Sequence, residues 1–189
     1  CKNKKFYKKI KLLKGFGVDK NFNERKIPGE YDVKLLGLNY RLDEIRSRIG
    51  ITQLKKLNKF ISLRKKNYFF LKNSLKEIKQ LKFLNLESEN NTESSYYCAS
   101  IILSKKLKKN RFKIILKLKN SGIGTSIHYP KIISDYTYYK QKYKINSSNF
   151  PNASTMSYRS INLPVGPHLT KKDLLYMASK IKEIFKKFI

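Results

Sequence analysis

The sequence predicts an α+β fold in which long helices precede a small mixed domain. Apolar residues recur every three or four positions near the N-terminus and again over residues 42–78, which is the spacing of amphipathic helices. From residue 96 onward, short apolar runs typical of strands alternate with helical patterns. The chain has 189 residues, enough to bury a core, and this length favours one domain or one and a piece.

The first predicted elements are helices. Residues 4–14 have apolar positions at helical spacing, and the glycines at 15–17 end that helix. Residues 18–36, which contain a Pro-Gly pair, are predicted to form a loop. A second helical pattern starts at Leu42. Gly50 is expected to break it, or to mark a close contact, before a longer helix follows.

The second half of the chain is predicted to alternate strands and helices. Its predicted elements are a polar loop over 87–95, strands over 96–103, 123–129 and 161–164, a helix from Asn110 to Gly122, an irregular tyrosine-rich segment over 135–143, a loop over 150–154 and a last helix from Thr170. Thr170 and Asp173 form a capping-box-like pair at the start of that helix. The predicted strand at 123–129 ends on a His-Tyr pair.

The formal net charge of +30 invites a comparison with nucleic-acid-binding proteins. Only seven of the 43 basic residues are arginines, and the lysines are spread over nearly every segment. Specific nucleic-acid surfaces rely on arginine for bidentate contacts, so solvated lysine faces explain the charge better. No apolar run is long enough to span a bilayer. Cys1 and Cys98 form no spaced framework and are expected to be reduced thiols in a cytoplasmic protein.

The residues alone do not predict a complete active site or a metal centre. His128 and His168 are the two histidines, no serine or cysteine has a nucleophile-elbow context, and metal-ligand spacings are absent. Polar residues do stand at the ends of predicted elements. The Asn39 amide could donate to a phosphate oxygen and Arg41 could add charge. The strand-end residues His128 and Tyr129 could contact a ligand, although a helix cap and an exposed strand end explain these positions equally well.

Three separated motifs resemble the DegT/DnrJ/StrS family of pyridoxal-phosphate sugar aminotransferases. Gly37, Asn39 and Arg41 match its G-x-N-x-R pattern, within a run over 29–75 that also carries Gln53-Leu54, Lys56-Leu57 and Arg64. LKNSGIGTSIHYP resembles a segment ending in H-Y, here His128 and Tyr129. FPNAS and INLPVGPHLT resemble the late signatures P-x-A and L-P-x-x-P-x-L-T. The resemblance covers nearly the whole chain.

This resemblance implies the C-terminal half of a fold type I, aspartate aminotransferase-like enzyme. Residues 1–40 would be the tail of the cofactor-binding large domain and an interface loop, 41–80 the linking helices and 81–189 the small α+β domain. In the family, the lysine that forms the Schiff base with the cofactor lies in the large domain, upstream of the matching region. The resemblance therefore assigns no catalytic residue to this chain, which would be inactive alone.

The resemblance also implies a homodimer with shared active sites. Asn39, with Arg41 beside it, would bind the phosphate of pyridoxal 5'-phosphate held by the partner subunit. Tyr31, His128 and Tyr129 would contact the substrate, a keto-sugar linked to a nucleotide. The amino donor would be glutamate, and the product would serve surface polysaccharide or related sugar biosynthesis in the cytoplasm.

The chain departs from the family pattern at several positions. Ser154 replaces the acid of the late motif, Phe16 stands where the family has histidine, and the second histidine usual after H-Y is missing. These departures leave the sugar open. Two alternatives also stay open: a relative that carries histidine in place of the lysine and dehydrates its substrate, and a basic nucleic-acid-binding module of a different class.

Overall fold

The computed structural model describes residues 1–20, 22–84 and 92–188, which form two compact units, 1–55 and 56–189. Most of the polar loop predicted for 87–95 therefore lies outside the described residues. The predicted domain limits at residues 40 and 80 stay a prediction. Within the described part of the chain, no helix has both the length and the hydropathy needed to cross a membrane.

The first unit is built on helix α1, Lys4–Leu13, which the apolar spacing predicted. The Asn3 side chain caps it by accepting hydrogen bonds from the backbone N–H groups of Lys5 and Phe6. Phe16 and Gly17 have positive φ and end the helix, as predicted. None of the ten residues of α1 is buried. A short 3₁₀ turn follows at Phe22–Glu24.

Helix α2 runs without interruption over Glu44–Ser74, so the predicted break at Gly50 is wrong. A Cβ placed at Gly50 would meet no atom within 4 Å, so this glycine does not mark a close contact either. A glycine costs a helix only about 1 kcal/mol, which 31 residues of continuous hydrogen bonding easily exceed. The Asp43 carboxylate accepts the backbone N–H of Arg46 at 2.8 Å and stabilises the first turn.

The second unit contains an antiparallel sheet with the strand order β1-β2-β3. Its strands are β1 at Leu81–Phe83, β2 at Ala99–Leu103 and β3 at Ser160–Leu163, with Leu81 opposite Leu103 and Ala99 opposite Leu163. Strands β2 and β3 were predicted, whereas β1 was missed. The strand predicted at 123–129 is wrong, because only Ser126 forms an isolated bridge, to Asn162. Glycines at 122 and 124 and a proline at 130 disfavour longer pairing there.

Four helices complete the second unit. They are α3 at Arg111–Asn120, α4 at Thr137–Tyr143, α5 at Pro151–Arg159 and α6 at Lys171–Lys186, with 3₁₀ turns at Lys105–Asn110, Ile133–Asp135 and Ser147–Asn149. Helix α5 corrects the loop predicted for 150–154, because Pro151 occupies the first helical position, where its ring stabilises a helix. The capping box of Thr170 and Asp173 is confirmed.

The hydrophobic core lies in the second unit. Its fully buried members come from α2 and the residue after it, the sheet, α3 and α6, and include Tyr68, Leu71, Leu75, Ile101, Leu103, Ile114, Leu118, Ile161, Leu163, Ile181 and Phe185. Strand β2 pairs with both of its neighbours, and the helices pack against the sheet. The surface loops of this unit are therefore attached to a packed core. Those loops carry His128 and Tyr129.

Candidate functional site

Asn39 lies on a corner whose backbone is fixed by the end of α1. Leu38 donates its backbone N–H to the Leu13 carbonyl oxygen at 2.8 Å, and Tyr40 donates to the Lys14 carbonyl oxygen at 2.9 Å. Gly15 and Asn39 form an antiparallel bridge between these bonds. We call residues 15–17 and 37–41 the Asn39 corner. Asn39 itself is exposed, so the corner presents a polar side chain on a defined backbone.

Two glycines allow the backbone segments of this corner to lie close to each other. A Cβ at Gly37 would lie 2.4 Å from the backbone nitrogen of Gly17. A Cβ at Gly17, whose φ is +75°, would lie 1.8 Å from the Leu35 carbonyl oxygen. Both positions therefore require glycine for backbone contact, and Gly17 also requires it for its left-handed conformation. The first glycine of the G-x-N-x-R pattern is explained by this packing.

The side chains of Asn39 and Arg41 are directed by local contacts. The Asn39 Oδ1 atom accepts the backbone N–H of Arg41 at 3.3 Å, which leaves the Nδ2 amide as the donor that faces solvent. The Arg41 guanidinium lies 5.5 Å from the centre of the Phe16 ring. Phe16 thus provides a surface on which the guanidinium rests while it stays available for an anion.

A strongly basic cleft of about 790 Å³ lies beside the Asn39 corner, within the first unit. Its basic lining residues are Lys8, Lys11, Lys14, Lys20, Arg25 and Arg41, and its acidic ones are Asp19 and Glu24. The Arg25 Nε atom is buried and has no hydrogen-bond partner among the described residues. The Arg25 guanidinium also lies 4.8 Å above the Tyr31 ring, which places Tyr31 next to this basic cleft. The lining chemistry suits a phosphate-bearing ligand.

The predicted substrate residues of the second unit lie on an exposed aromatic surface. His128 stacks near Tyr97, with ring centres 6.4 Å apart, and lies 6.3 Å from the Tyr129 ring centre. Tyr97 is 71% exposed and Tyr129 is 70% exposed. The Arg64 guanidinium lies 6.0 Å from the Tyr97 ring centre. We call Tyr97, His128 and Tyr129 the aromatic surface. It offers ring faces and one imidazole to a ligand.

A buried asparagine holds His128 in place through the backbone. Asn162 of β3 exchanges two backbone hydrogen bonds with Ser126, at 2.9 and 3.2 Å, and its side-chain oxygen accepts the Ser100 hydroxyl at 2.7 Å. Ser126 precedes His128 by two residues, so this pairing sets where the imidazole lies. Sequence reasoning missed Asn162 and Tyr97. For Asn162 the available signal was a polar residue inside the apolar run of β3.

An apolar cavity of about 590 Å³ adjoins Tyr129 in the second unit, lined mainly by Ile132, Ile133, Tyr139, Tyr143, Phe150 and Met156. Asp135 ties together the segments that enclose it, because it accepts hydrogen bonds from the Ser147 hydroxyl and the Tyr158 phenol. These bonds, that of Ser147 first, lower the pKa of Asp135. The same carboxylate raises the pKa of Tyr158 to about 12.

Tyr158 is expected to make stability fall between pH 10 and 12. The folded pKa of about 12 exceeds the ordinary value of 10.0, so the unfolded chain releases a proton that the folded chain keeps. Its stabilising contribution is complete below pH 10 and lost as pH rises through 12. Urea unfolding at about pH 9 and about pH 11 measures this loss. Tyr158→Phe should lose less stability over this interval than wild type, whereas the exposed-site control Tyr7→Phe should match wild type. Equal losses in all three proteins would contradict the assignment.

Comparison with known proteins identifies the family to which this chain belongs. Residues 1–182 match the DegT/DnrJ/EryC1/StrS aminotransferase family. The chain belongs to this family. The family and the fold that the sequence motifs predicted are confirmed, and so is pyridoxal phosphate as the cofactor of its members. Among the described residues no group of three or more histidine, cysteine or acidic side chains could hold a metal ion.

Two of the chain's relatives are bacterial sugar aminotransferases. The chain is 26% identical over 185 residues to UDP-4-amino-4,6-dideoxy-N-acetyl-beta-L-altrosamine transaminase of Campylobacter jejuni, covering 98% of this chain and 46% of the relative. Among solved structures it is similar to Helicobacter pylori PseC, an aminotransferase of pseudaminic acid biosynthesis, with a TM-score of 0.85, 25% identity, and coverage of 98% of this chain and 47% of that one.

A further structure supports the fold alone. The PMP form of the sugar aminotransferase Spr1654 from Streptococcus pneumoniae has a TM-score of 0.87 at 21% identity, with coverage of 100% of this chain and 47% of that one. The chain thus spans about half the length of the relatives it matches. The roles of Tyr31, Asn39, Arg41, His128 and Tyr129 stay predictions, which their positions on two polar, exposed surfaces allow.

Proposed function

We propose that this chain is the C-terminal part of a pyridoxal-phosphate-dependent enzyme that transfers an amino group from glutamate to a keto-sugar linked to a nucleotide. The cofactor, when bound, supplies the chemistry of amino-group transfer. The residues of this chain are proposed to bind and orient the cofactor phosphate and the sugar substrate. The observation that carries the proposal is the Asn39 corner, which holds an outward-facing amide and a guanidinium beside a basic cleft.

Asn39 and Arg41 are proposed to bind the cofactor phosphate in the active site of a partner subunit of a homodimer. An amide donor and a guanidinium complement the acceptor oxygens and the charge of a phosphate. The backbone bonds from Leu38 and Tyr40 to the end of α1 fix where the amide lies, so little conformational entropy is lost on binding. Arg25 also lines the adjoining basic cleft and adds a second guanidinium to its charge.

The aromatic surface of the second unit is proposed to bind the nucleotide-linked sugar, and Tyr31 of the first unit is separately proposed to contact the substrate. Flat side chains stack on a nucleotide base, and the tyrosine hydroxyls and the His128 imidazole can hydrogen-bond to sugar or base. Tyr97 and Tyr129 are largely exposed, so a ligand can reach both rings. No residue of this chain is proposed to form the covalent link to the cofactor, although 36 lysines are present.

Asn39→Ala is expected to weaken binding of pyridoxamine 5'-phosphate about tenfold, or about 1.4 kcal/mol, because one phosphate donor is lost. This amine form avoids nonspecific condensation of an aldehyde with the many lysines. Titration of the ¹⁵N-labelled chain, followed by NMR, measures the affinity. Pyridoxamine without phosphate serves as the ligand control, and Asn73→Ala, an exposed position of α2, serves as the variant control.

Two results would contradict the proposal. Equal affinities of wild type and Asn39→Ala would show that Asn39 does not bind the phosphate. A second test treats the chain with pyridoxal phosphate and borohydride and maps the modified peptides. Selective labelling of one lysine would show that this chain carries its own cofactor lysine, and the proposed division of roles would be wrong. Scattered weak labelling is expected.

A further inference from the structure

Cys98 and His128 form a thiol–imidazole pair, of which the proposed function uses His128 and not Cys98. The Cys98 Sγ atom lies 3.2 Å from the His128 Nε2 atom, within hydrogen-bond distance for sulfur. The Ser100 hydroxyl lies 3.6 Å from the same sulfur. Cys98 directly precedes β2, and His128 follows the Ser126 bridge to β3, so two different segments bring the pair together. The sequence separates them by 30 residues.

The surroundings of the pair suit an anionic small molecule. Cys98 is half-buried, not sealed in the core, and it lies in the chain beside Tyr97, which is largely exposed. The Arg64 guanidinium above the Tyr97 ring supplies positive charge at this surface. Among the described residues, no carboxylate forms a hydrogen bond or an ion pair with Cys98, His128 or Arg64. An attacking sulfur with a neighbouring proton acceptor and nearby positive charge is the arrangement of a reactive thiol.

We propose that Cys98 is a site of thiol–disulfide exchange with small anionic disulfides of the glutathione class, and that His128 is its proton acceptor. The Cys98 sulfur attacks one sulfur of the disulfide while the His128 Nε2 atom takes the thiol proton. A new sulfur–sulfur bond forms, the old one breaks, and the departing thiolate receives the proton from His128. Cys98 is oxidised to the mixed disulfide, and the departing half of the reagent is reduced to a thiol.

Cys1 provides an internal comparison, because it is the other cysteine of the chain. It is exposed, and its sulfur contacts the Asn3 carbonyl oxygen at 3.4 Å, which is an acceptor for the thiol proton but not a base. If access alone set the rate, Cys1 would react faster than the half-buried Cys98. If the imidazole assists, Cys98 reacts faster. The two explanations therefore predict opposite orders.

The test incubates the reduced 189-residue chain with glutathione disulfide and follows each cysteine peptide by mass spectrometry. Cys98 is expected to gain the glutathionyl group at least about tenfold faster than Cys1, because assistance by a positioned base is worth this much or more. His128→Gln should slow Cys98 about tenfold and leave Cys1 unchanged, since an amide cannot take up the proton at neutral pH. Added dithiothreitol should reverse the modification.

His168→Gln is the matched control, because it removes the other histidine, which is also exposed. It should leave both rates unchanged. Circular dichroism of each variant separates loss of the base from loss of structure: a loosened fold would expose Cys98 and raise its rate, opposite to the expected change. The proposal is overturned if Cys98 reacts no faster than Cys1, or if His128→Gln does not slow it. Neither result depends on cofactor or sugar binding.

Discussion

Replacing Leu118 with alanine is expected to lower the free energy of unfolding by about 2–5 kcal/mol. Leu118 is 0% exposed and lies on α3, which packs against α6 in the core of the second unit. Truncation removes methyl groups from a packed environment and leaves a cavity that the surrounding sheet and helices cannot fully close. Urea unfolding followed by circular dichroism measures the loss, and the transition midpoint should fall while its slope is kept.

Leu116→Ala is the control for this prediction, since Leu116 belongs to the same helix but is 57% exposed. Both substitutions change helix propensity equally, so the difference between them isolates burial. The control should change stability by no more than about 0.5 kcal/mol. Equal losses in the two variants would mean that α3 does not bury its Leu118 face as described. A loss of stability in Leu118→Ala alone would support the description of α3 as part of the packed core beneath the aromatic surface.

Gly17→Ala is expected to disrupt the Asn39 corner by roughly 2–4 kcal/mol, the upper part of the usual range for single substitutions. The new Cβ would lie 1.8 Å from the Leu35 carbonyl oxygen, so the backbone must move. The φ of +75° adds about 1–2 kcal/mol of conformational cost. Because the Leu38 and Tyr40 amides bond to the end of α1, their hydrogen exchange reports the corner directly.

Gly29→Ala separates the two contributions in Gly17→Ala. Gly29 has a similar φ of +84°, but a Cβ there meets no atom within 4 Å, so only the conformational cost applies. We expect exchange of the Leu38 and Tyr40 amides to accelerate at least about tenfold more in Gly17→Ala than in Gly29→Ala, which corresponds to about 1.4 kcal/mol. Similar exchange in both variants would show that the close approach to Leu35 does not hold the corner.

Interactions local in the chain were predictable. The apolar spacing predicted α1, and Thr170 with Asp173 predicted the start of α6, because a capping box is formed by residues three apart. The motif residues Asn39, His128 and Tyr129 were also identified in the sequence. Their family is confirmed, whereas their individual roles stay predictions.

The errors have two origins: local signals that were given the wrong weight, and strand pairing that depends on neighbouring segments. Gly50 was expected to break a helix, but a local penalty of about 1 kcal/mol does not decide a long helix. The predicted strand at 123–129 has strand-like residues, yet it pairs only at Ser126, since strand length depends on what the neighbouring segments offer. The loop expected at 150–154 became α5.

The sequence by itself determined the family, the positions of the main helices and two of the three strands, and the polar motifs. Only the tertiary structure decided that Asn39 stands on a corner fixed to α1, that Arg25 and Arg41 share a basic cleft, and that Cys98 meets His128. The physical reason is distance along the chain. Helical spacing and caps join residues three or four apart, whereas a contact across 30 residues exists only after the sheet has paired.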